Sequence, residues 1–408
     1  MDKILMIADD LTGGLDAGIA FAAAGIPTCV GQNDYFLSSA DAQSCCVQVS
    51  VVPSRHMTRE EAYRAVYDVV KRAVDQDFTC IFKKTDSALR GNVGAELEAV
   101  LAGSGERNLH FVPAFPKMNR VTRDGVQYVD GSIPVSQSVF AADPFNPVRH
   151  SAVAEVIAET SSVPTHPAKE RGEGVAIYDA ETETDVLAAA SRIFGVKAKL
   201  VAGCAGLAAV LPQMLQLEKK AGRERRPSGR LITFCGSINP ISLRQCARAE
   251  EKGAPRFHLF QNGGFAGEAD LAARIAEAAE NHPITVFDTG SEDVDTRSMD
   301  AAESGRLVAE KVSRVIRGVV DLVKDATVFV IGGDTLIAFM DSLGIETIIP
   351  VEELFPGVVL AKYHFKGEWQ YLISKSGGFG EPDLLEQISL KLSSPGEKAE
   401  NGGEPSGK

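Results

Sequence analysis

The stretch Ile4-Leu5-Met6-Ile7-Ala8-Asp9-Asp10-Leu11-Thr12-Gly13-Gly14-Leu15-Asp16 decides how the chain folds. Its opening run is apolar, too short for a helix and stopped by two acids. It reads as a strand covered on both faces, the pattern of a parallel sheet. Leu15–Ala24, rich in alanine and closed by Gly25, predicts a helix directly after it. The same order then repeats. Val47–Val52, Phe78–Phe82 and Leu109–Phe115 read as strands, with helices over Glu60–Val74 and Ala95–Leu101. The stretch Val121–Val129 breaks the rhythm, and Asp124-Gly125 within it predicts a hairpin turn. Val175–Tyr178, Asp185–Ile193 and Leu200–Ala202 restore strand, helix and strand.

Leu217–Gly229 carries Lys219, Lys220, Arg223, Arg225 and Arg226, lacks an apolar rhythm and ends in Pro-Ser-Gly, which predicts a solvated linker. Alternation resumes beyond it: strands at Leu231–Phe234, Phe257–Phe260, Ile284–Phe287 and Thr327–Ile331, helices at Ser242–Glu251, Ala272–Ala279 and Leu307–Val323. Trp369–Ile373 reads as part of an antiparallel ribbon. The expected fold is α/β: two Rossmann-like three-layer domains with mostly parallel sheets, residues 1–216 and 230–392, the active site in the cleft between them. The tail 393–408, built of Gly, Pro, Glu, Lys and Ser, has nothing to bury and is expected to be disordered.

With 408 residues, 44% hydrophobic and 24% charged, the composition is that of a globular protein. No run approaches the ~18 apolar residues of a membrane span. The N-terminus does not resemble a signal peptide, which points to the cytoplasm. The 55 acids outweigh 42 basic residues, giving a net charge of −13. Nucleic acid is therefore not expected as a partner, and any anion site must be assembled locally from Lys, Arg and backbone N–H groups. Seven cysteines and seven histidines are scattered without zinc spacing, CxxC or HExxH, and no serine sits in a GxSxG turn.

Chemistry concentrates at strand ends, where open α/β sheets place ligands. Asp9 and Asp10 leave the first strand and are expected to point to opposite sides; capping of the next helix by Asp10 or Thr12 is the structural alternative. Lys83-Lys84-Thr85-Asp86-Ser87-Ala88-Leu89-Arg90-Gly91-Asn92 follows the strand Phe78–Phe82 as a loop dense in cations and hydroxyls. It suits a small polyhydroxylated anion, Lys and Arg taking the carboxylate and Asp86 and Ser87 the hydroxyls. Arg55, and a loop with Lys117, Asn119, Arg120 and Arg123, follow two other strands. In the second half, Cys235-Gly236-Ser237, Gly332-Gly333-Asp334-Thr335 and Ser376-Gly377-Gly378-Phe379-Gly380 are small-residue loops of the kind that brings backbone N–H groups to phosphate. None matches GxGxxG or the P-loop.

Ile7-Ala8-Asp9-Asp10-Leu11-Thr12-Gly13 and Lys84-Thr85-Asp86-Ser87-Ala88-Leu89-Arg90-Gly91-Asn92 resemble two signatures of the four-carbon acid sugar kinases. Pro113-Ala114-Phe115-Pro116, Asp143-Pro144, Asp179-Ala180-Glu181-Thr182, Gly332–Thr335 and Lys375–Gly380 are similar to further family segments, and the likeness reaches about Leu392. The chain departs from the pattern at Gly14-Leu15 and at Lys117-Met118-Asn119. The resemblance implies an N-terminal domain that binds threonate, erythronate or an oxo-tetronate, and a C-terminal domain that binds ATP with Mg²⁺. It implies that Asp9 or Asp10, Arg55 and Lys84, Thr85, Asp86 and Ser87 line the acid site, with Arg90 beside them. Ser237, Gly332, Gly333, Asp334, Thr335, Gly377 and Gly378 would hold the nucleotide. For the carboxylate that orients the acceptor hydroxyl and takes its proton, Asp86 is the first expectation and Asp10 the second. A homo-oligomer is compatible with this reading. The competing reading is a non-catalytic sugar-acid sensor on the same fold; an NAD-dependent dehydrogenase fits least, for want of GxGxxG.

Overall fold

The computed structural model describes residues 2–143, 145–215, 217, 227–261, 264–290 and 301–393. Most of the expected linker and all but Ser393 of the expected tail lie outside the described residues. The chain packs as two compact units, Met1–Arg223 with Val330–Gly380, and Glu224–Phe329 with Glu381–Lys408.

The first unit begins with β1 (Ile4–Ala8), α1 (Leu11–Ala23), β2 (Thr28–Gln32), α2 (Ala40–Gln43), β3 (Val47–Val51), α3 (Arg59–Val74), β4 (Cys80–Lys84), α4 (Val93–Ser104) and β5 (Asn108–Val112). A three-stranded antiparallel sheet follows, β6 (Val121–Arg123), β7 (Val126–Val129) and β8 (Ile133–Pro134), turning at Asp124-Gly125 as expected. Then come α5 (Val153–Thr160), β9 (Thr165–Pro167), β10 (Gly174–Ile177), α6 (Glu183–Gly195), β11 (Leu200–Gly203) and α7 (Ala205–Val210). Strands β2, β3, β1, β4, β11, β5, β10 and β9 lie side by side in that order, all parallel. Every residue of β1, β3 and β4 is buried, as strands covered on both faces require.

Helix α1 can lie close on this sheet because two of its contact positions lack a side chain. A Cβ on Gly14 would meet Val51 Cγ2 at 3.1 Å, and one on Gly18 would meet Thr28 Cγ2 at 3.4 Å. Asp10 caps the helix by accepting from Gly13 N at 3.0 Å.

The second unit holds β12 (Leu231–Cys235), α8 (Pro240–Glu251), β13 (Arg256–His258), the short pair β14 (Phe260–Gln261) and β15 (Gly264–Phe265), α9 (Glu268–Asn281), β16 (Ile284–Asp288), α10 (Ala301–Leu322) and the start of β17 (Thr327–Ile331). Its strands run β13-β16-β12-β17, with β16 parallel to both β13 and β12. The chain then returns to the first unit with α11 (Gly333–Leu343), β18 (Thr347–Phe355), β19 (Val358–Phe365) and β20 (Glu368–Lys375), and ends in the second with α12 (Leu384–Ser393).

This return departs from the sequence boundary, which assigned everything from 230 to 392 to one domain. Strand β18 pairs antiparallel with β2, Thr347 opposite Gly31 and Ile348 opposite Val30. The ribbon β18–β20 thereby extends the first sheet and packs on α1. Only its last strand carried an alternating pattern in the sequence.

Candidate active site

Strand β4 runs two residues beyond its expected end, so Lys83 and Lys84 lie in the strand and face opposite ways. Lys83 is fully buried; its Nζ stands 3.0 Å from Glu96 Oε2 on α4 and donates to Lys84 O at 2.9 Å. Glu96 also accepts from the Ser54 hydroxyl. Burial pushes the Glu96 carboxyl above its ordinary value against the pull of Lys83. Lys84 turns to the other face: a Cβ on Gly13 of α1 would stand 3.1 Å from its Nζ. Burial alone would lower Lys84, but Asp9 and Asp10 keep it above its ordinary value.

Asp9 and Asp10 do not diverge as expected, because one arginine gathers both. Arg55, entering from the turn after β3, places Nε 2.8 Å and Nη2 2.7 Å from Asp9 Oδ2, and Nη1 3.1 Å from Asp10 Oδ2. Its Nη2 is also 3.7 Å from Asp86 Oδ1. Burial would raise Asp9, yet Arg55, Lys83 and Lys84 together hold it below the usual carboxylate range. Asp10 spends its remaining capacity on Gly13 N and the Thr12 hydroxyl.

Asp86 anchors its own loop. Oδ2 accepts from Ala88 N at 3.0 Å and Arg90 Nε at 3.0 Å, and Oδ1 from Arg90 Nη2 at 2.9 Å. Burial opposes ionisation, but Arg90 and Arg55 hold this carboxyl far below its ordinary value. Arg90 reaches on to Asp143 Oδ2 at 3.2 Å. Ser87 is tied in through its carbonyl, which accepts from Gln127 Nε2 at 3.0 Å. Two buried polar atoms here, Asp9 Oδ1 and Thr85 Oγ1, have no hydrogen-bond partner among the described residues.

Arg55 is thus paired with carboxylates of the protein itself, and the oxygens of Asp86 and Asp10 accept from the loop and the helix they organise. Of the third loop, Arg123 pairs with Glu181 and Arg120 with Asp130, while Lys117 is placed near Asp16 of α1.

The glycine loops divide between the units. Gly332 to Thr335 and Gly377 to Gly378 belong to the first, Ser237 to the second. Gly332 adopts φ 109°, a conformation open mainly to glycine, and donates to Lys375 O at 3.0 Å. The N-terminus of α11 lies beside that of α1: among the described residues outside its own helix turn, a Cβ on Gly333 would meet only Thr12 Oγ1, at 3.8 Å. Asp334 is exposed in the first turn of α11 and Thr335 is buried. In the second unit Ser237 accepts from Asn239 N at 3.2 Å, just before Asn239 caps α8.

Two groups escaped the sequence reading. Asp16 lies one turn into α1, and burial pushes its carboxyl up to about 6. Its signal was a lone acid on an otherwise apolar and small-residue helix. In the second unit Asp288, at the end of β16, binds His258 Nδ1 at 2.5 Å, Arg256 Nη2 at 2.6 Å and Gly290 N at 2.9 Å. Thirty residues separate the two partners, and no local pattern announces the pair.

Residues 4–211 match the family model of a sugar-binding N-terminal domain, and residues 232–385 that of a nucleotide-binding C-terminal domain. The D-threonate kinase of Salmonella typhimurium is 26% identical over 94% of this chain and 96% of its own. That of Bordetella bronchiseptica is 30% identical over 93% and 95%. The 3-oxo-tetronate kinase of Methylobacterium radiotolerans is 25% identical over 93% and 96%. A solved structure from Salmonella typhimurium shares the fold at 20% identity, with a TM-score of 0.79 over 97% of this chain and 100% of its own.

Proposed function

Because the chain belongs to the four-carbon acid sugar kinase family, we propose that it transfers the terminal phosphoryl group of ATP to a terminal hydroxyl of a threonate, erythronate or oxo-tetronate. The observation that carries this reading is the approach of two helix N-termini in the first unit. The Gly332-Gly333 start of α11 meets the Thr12 start of α1, directly beside Lys84 and the acid cluster. A helix N-terminus without side chains is suited to phosphate oxygens. A cation and carboxylates next to it are suited to a hydroxylated acid.

Phosphoryl transfer asks chiefly for positioning and charge stabilisation. Lys84 neutralises the substrate carboxylate. Arg55 and Arg90 hold Asp9, Asp10 and Asp86 fixed, so the cluster does not rearrange as the substrate enters. The open N–H groups of α11 receive the transferred group. No group of three or more His, Cys, Asp or Glu among the described residues is arranged to hold a metal ion. The Mg²⁺ expected from the kinase reading therefore suits the nucleotide phosphates, which need few protein ligands, better than a protein cage.

A coupled ATPase assay over threonates, erythronates and oxo-tetronates tests the proposal. Acid-dependent ADP release with one or more of them is expected. Tight acid binding without turnover would refute it in favour of a sensor.

A further inference from the structure

Asp16 shares a face of α1 with Thr12 and Gly13, four and three residues before it. Gly13 borders Lys84 Nζ, and Thr12 borders Gly333 of α11. The carboxylate thus sits one helical turn from the meeting point of the proposed acid and phosphate sites. It is half-buried, and it makes no hydrogen bond or ion pair with any described residue. The charged groups that face it are Lys84 at the end of β4, Glu353 of β18, Asp10 at the cap of its own helix, and Lys117 of the Pro116–Met118 turn.

The other carboxylates nearby are committed. Asp9 Oδ2 and Asp10 Oδ2 are held by Arg55, Asp10 Oδ1 by the helix, and both oxygens of Asp86 by Arg90. Glu353 accepts from Gly357 N at 3.0 Å. Asp9 Oδ1 is open but sealed in the interior.

Resting on the kinase reading, we propose that Asp16 is the residue that orients the acceptor hydroxyl and takes its proton. As the hydroxyl oxygen bonds to the γ-phosphorus, the proton passes to the Asp16 carboxylate. The bond from phosphorus to the β,γ-bridging oxygen breaks, and its electron pair leaves with the nucleoside diphosphate. Asp16 later returns the proton to water. Its basicity fits the task. Burial, the largest influence, lifts it to about 6 against Lys84, so it is ionised at neutral pH yet still attracts a proton. Asp86, held far lower, does not.

The test compares wild type, Asp16→Asn and Asp16→Glu on the acid that the wild type phosphorylates best, with kcat, KM and the pH dependence of kcat. In Asp16→Asn, kcat is expected to fall about 10²–10⁴-fold. KM for acid and nucleotide should hardly change, and the acid-side limb of the pH profile should vanish. Asp16→Glu should recover part of kcat and restore a limb. A near-normal kcat in Asp16→Asn, or a limb that survives there, overturns the proposal while leaving the kinase reading intact. A wild type that phosphorylates no acid in the panel overturns the kinase reading, and the role of Asp16 with it.

Discussion

Replacing Arg55 by methionine separates two roles that the sequence alone could not. If Arg55 clamps the substrate carboxylate, the variant folds normally and binds the acid poorly. If it holds the acid cluster together, the variant loses stability before substrate is added. The geometry favours the second: Nε and Nη2 lie 2.8 and 2.7 Å from Asp9 Oδ2, and the Asp9 side chain is only 3% exposed. Removing one partner of a buried pair costs about 3–5 kcal/mol. Lys83 and Lys84 still offset Asp9, so about 3 kcal/mol, the lower end, is expected. The loss should depend on pH. In the wild type Asp9 is held below its unfolded value, so its contribution is present above about pH 4 and lost as pH falls further. Without Arg55, burial dominates and raises Asp9, whose contribution then weakens as pH rises. The gap between variant and wild type should therefore be widest near pH 8 and narrow towards about pH 5. Urea unfolding followed by the fluorescence of Trp369, the chain's one tryptophan and part of the same unit, reads this directly. A gap below about 1 kcal/mol, the scale of a solvated pair, or one indifferent to pH, would refute the reasoning and return Arg55 to the substrate.

Lys84→Met should raise KM for the acid about ten- to a hundredfold, the value of one charge-assisted hydrogen bond, and leave nucleotide affinity unchanged; unaltered acid kinetics would remove Lys84 from the site. Gly333→Val should weaken nucleotide binding severely in a titration with ATP while the thermal midpoint holds, since among the described residues beyond its own helix turn a Cβ would meet only Thr12 Oγ1 at 3.8 Å. Retained ATP affinity would make the glycine pair a turn and nothing more.

The parallel core was legible because each of its strands is an apolar run next to a helix signal in sequence. Strand β1, α3 and β12 stand where the pattern puts them. The ribbon was legible only at β20, because β18 takes its place from pairing with β2, more than 300 residues away, and β19 from pairing with β18. The end of β4 misled for a related reason. Two adjacent lysines look like a loop, and only Glu96, brought in by α4, makes a buried lysine tolerable there. In the site, residue types were readable and partners were not. Arg55, Asp9, Asp10, Lys84, Asp86 and Arg90 do come together. Which of them stay open to a ligand depends on contacts across dozens of residues.

That distinction bears on how an anion enters so acidic a protein. Asp9, Asp10, Asp16, Asp86, Asp143 and Glu96 are set against Lys83, Lys84, Arg55 and Arg90, so carboxylates outnumber cations in the cluster itself. Three of the four cations are bound to carboxylates within 4 Å, and Lys84 alone has no such partner among the described residues; its Nζ donates to Thr85 O at 2.8 Å. A bare nucleotide would meet net repulsion here, which favours the form that carries its own cation. A sugar acid would likewise be turned away unless it met Lys84 first. On the kinase reading proposed above, this imbalance would orient the substrate: its carboxylate end towards Lys84, and its hydroxyl end towards Thr12 and the start of α11, where the phosphoryl group would arrive.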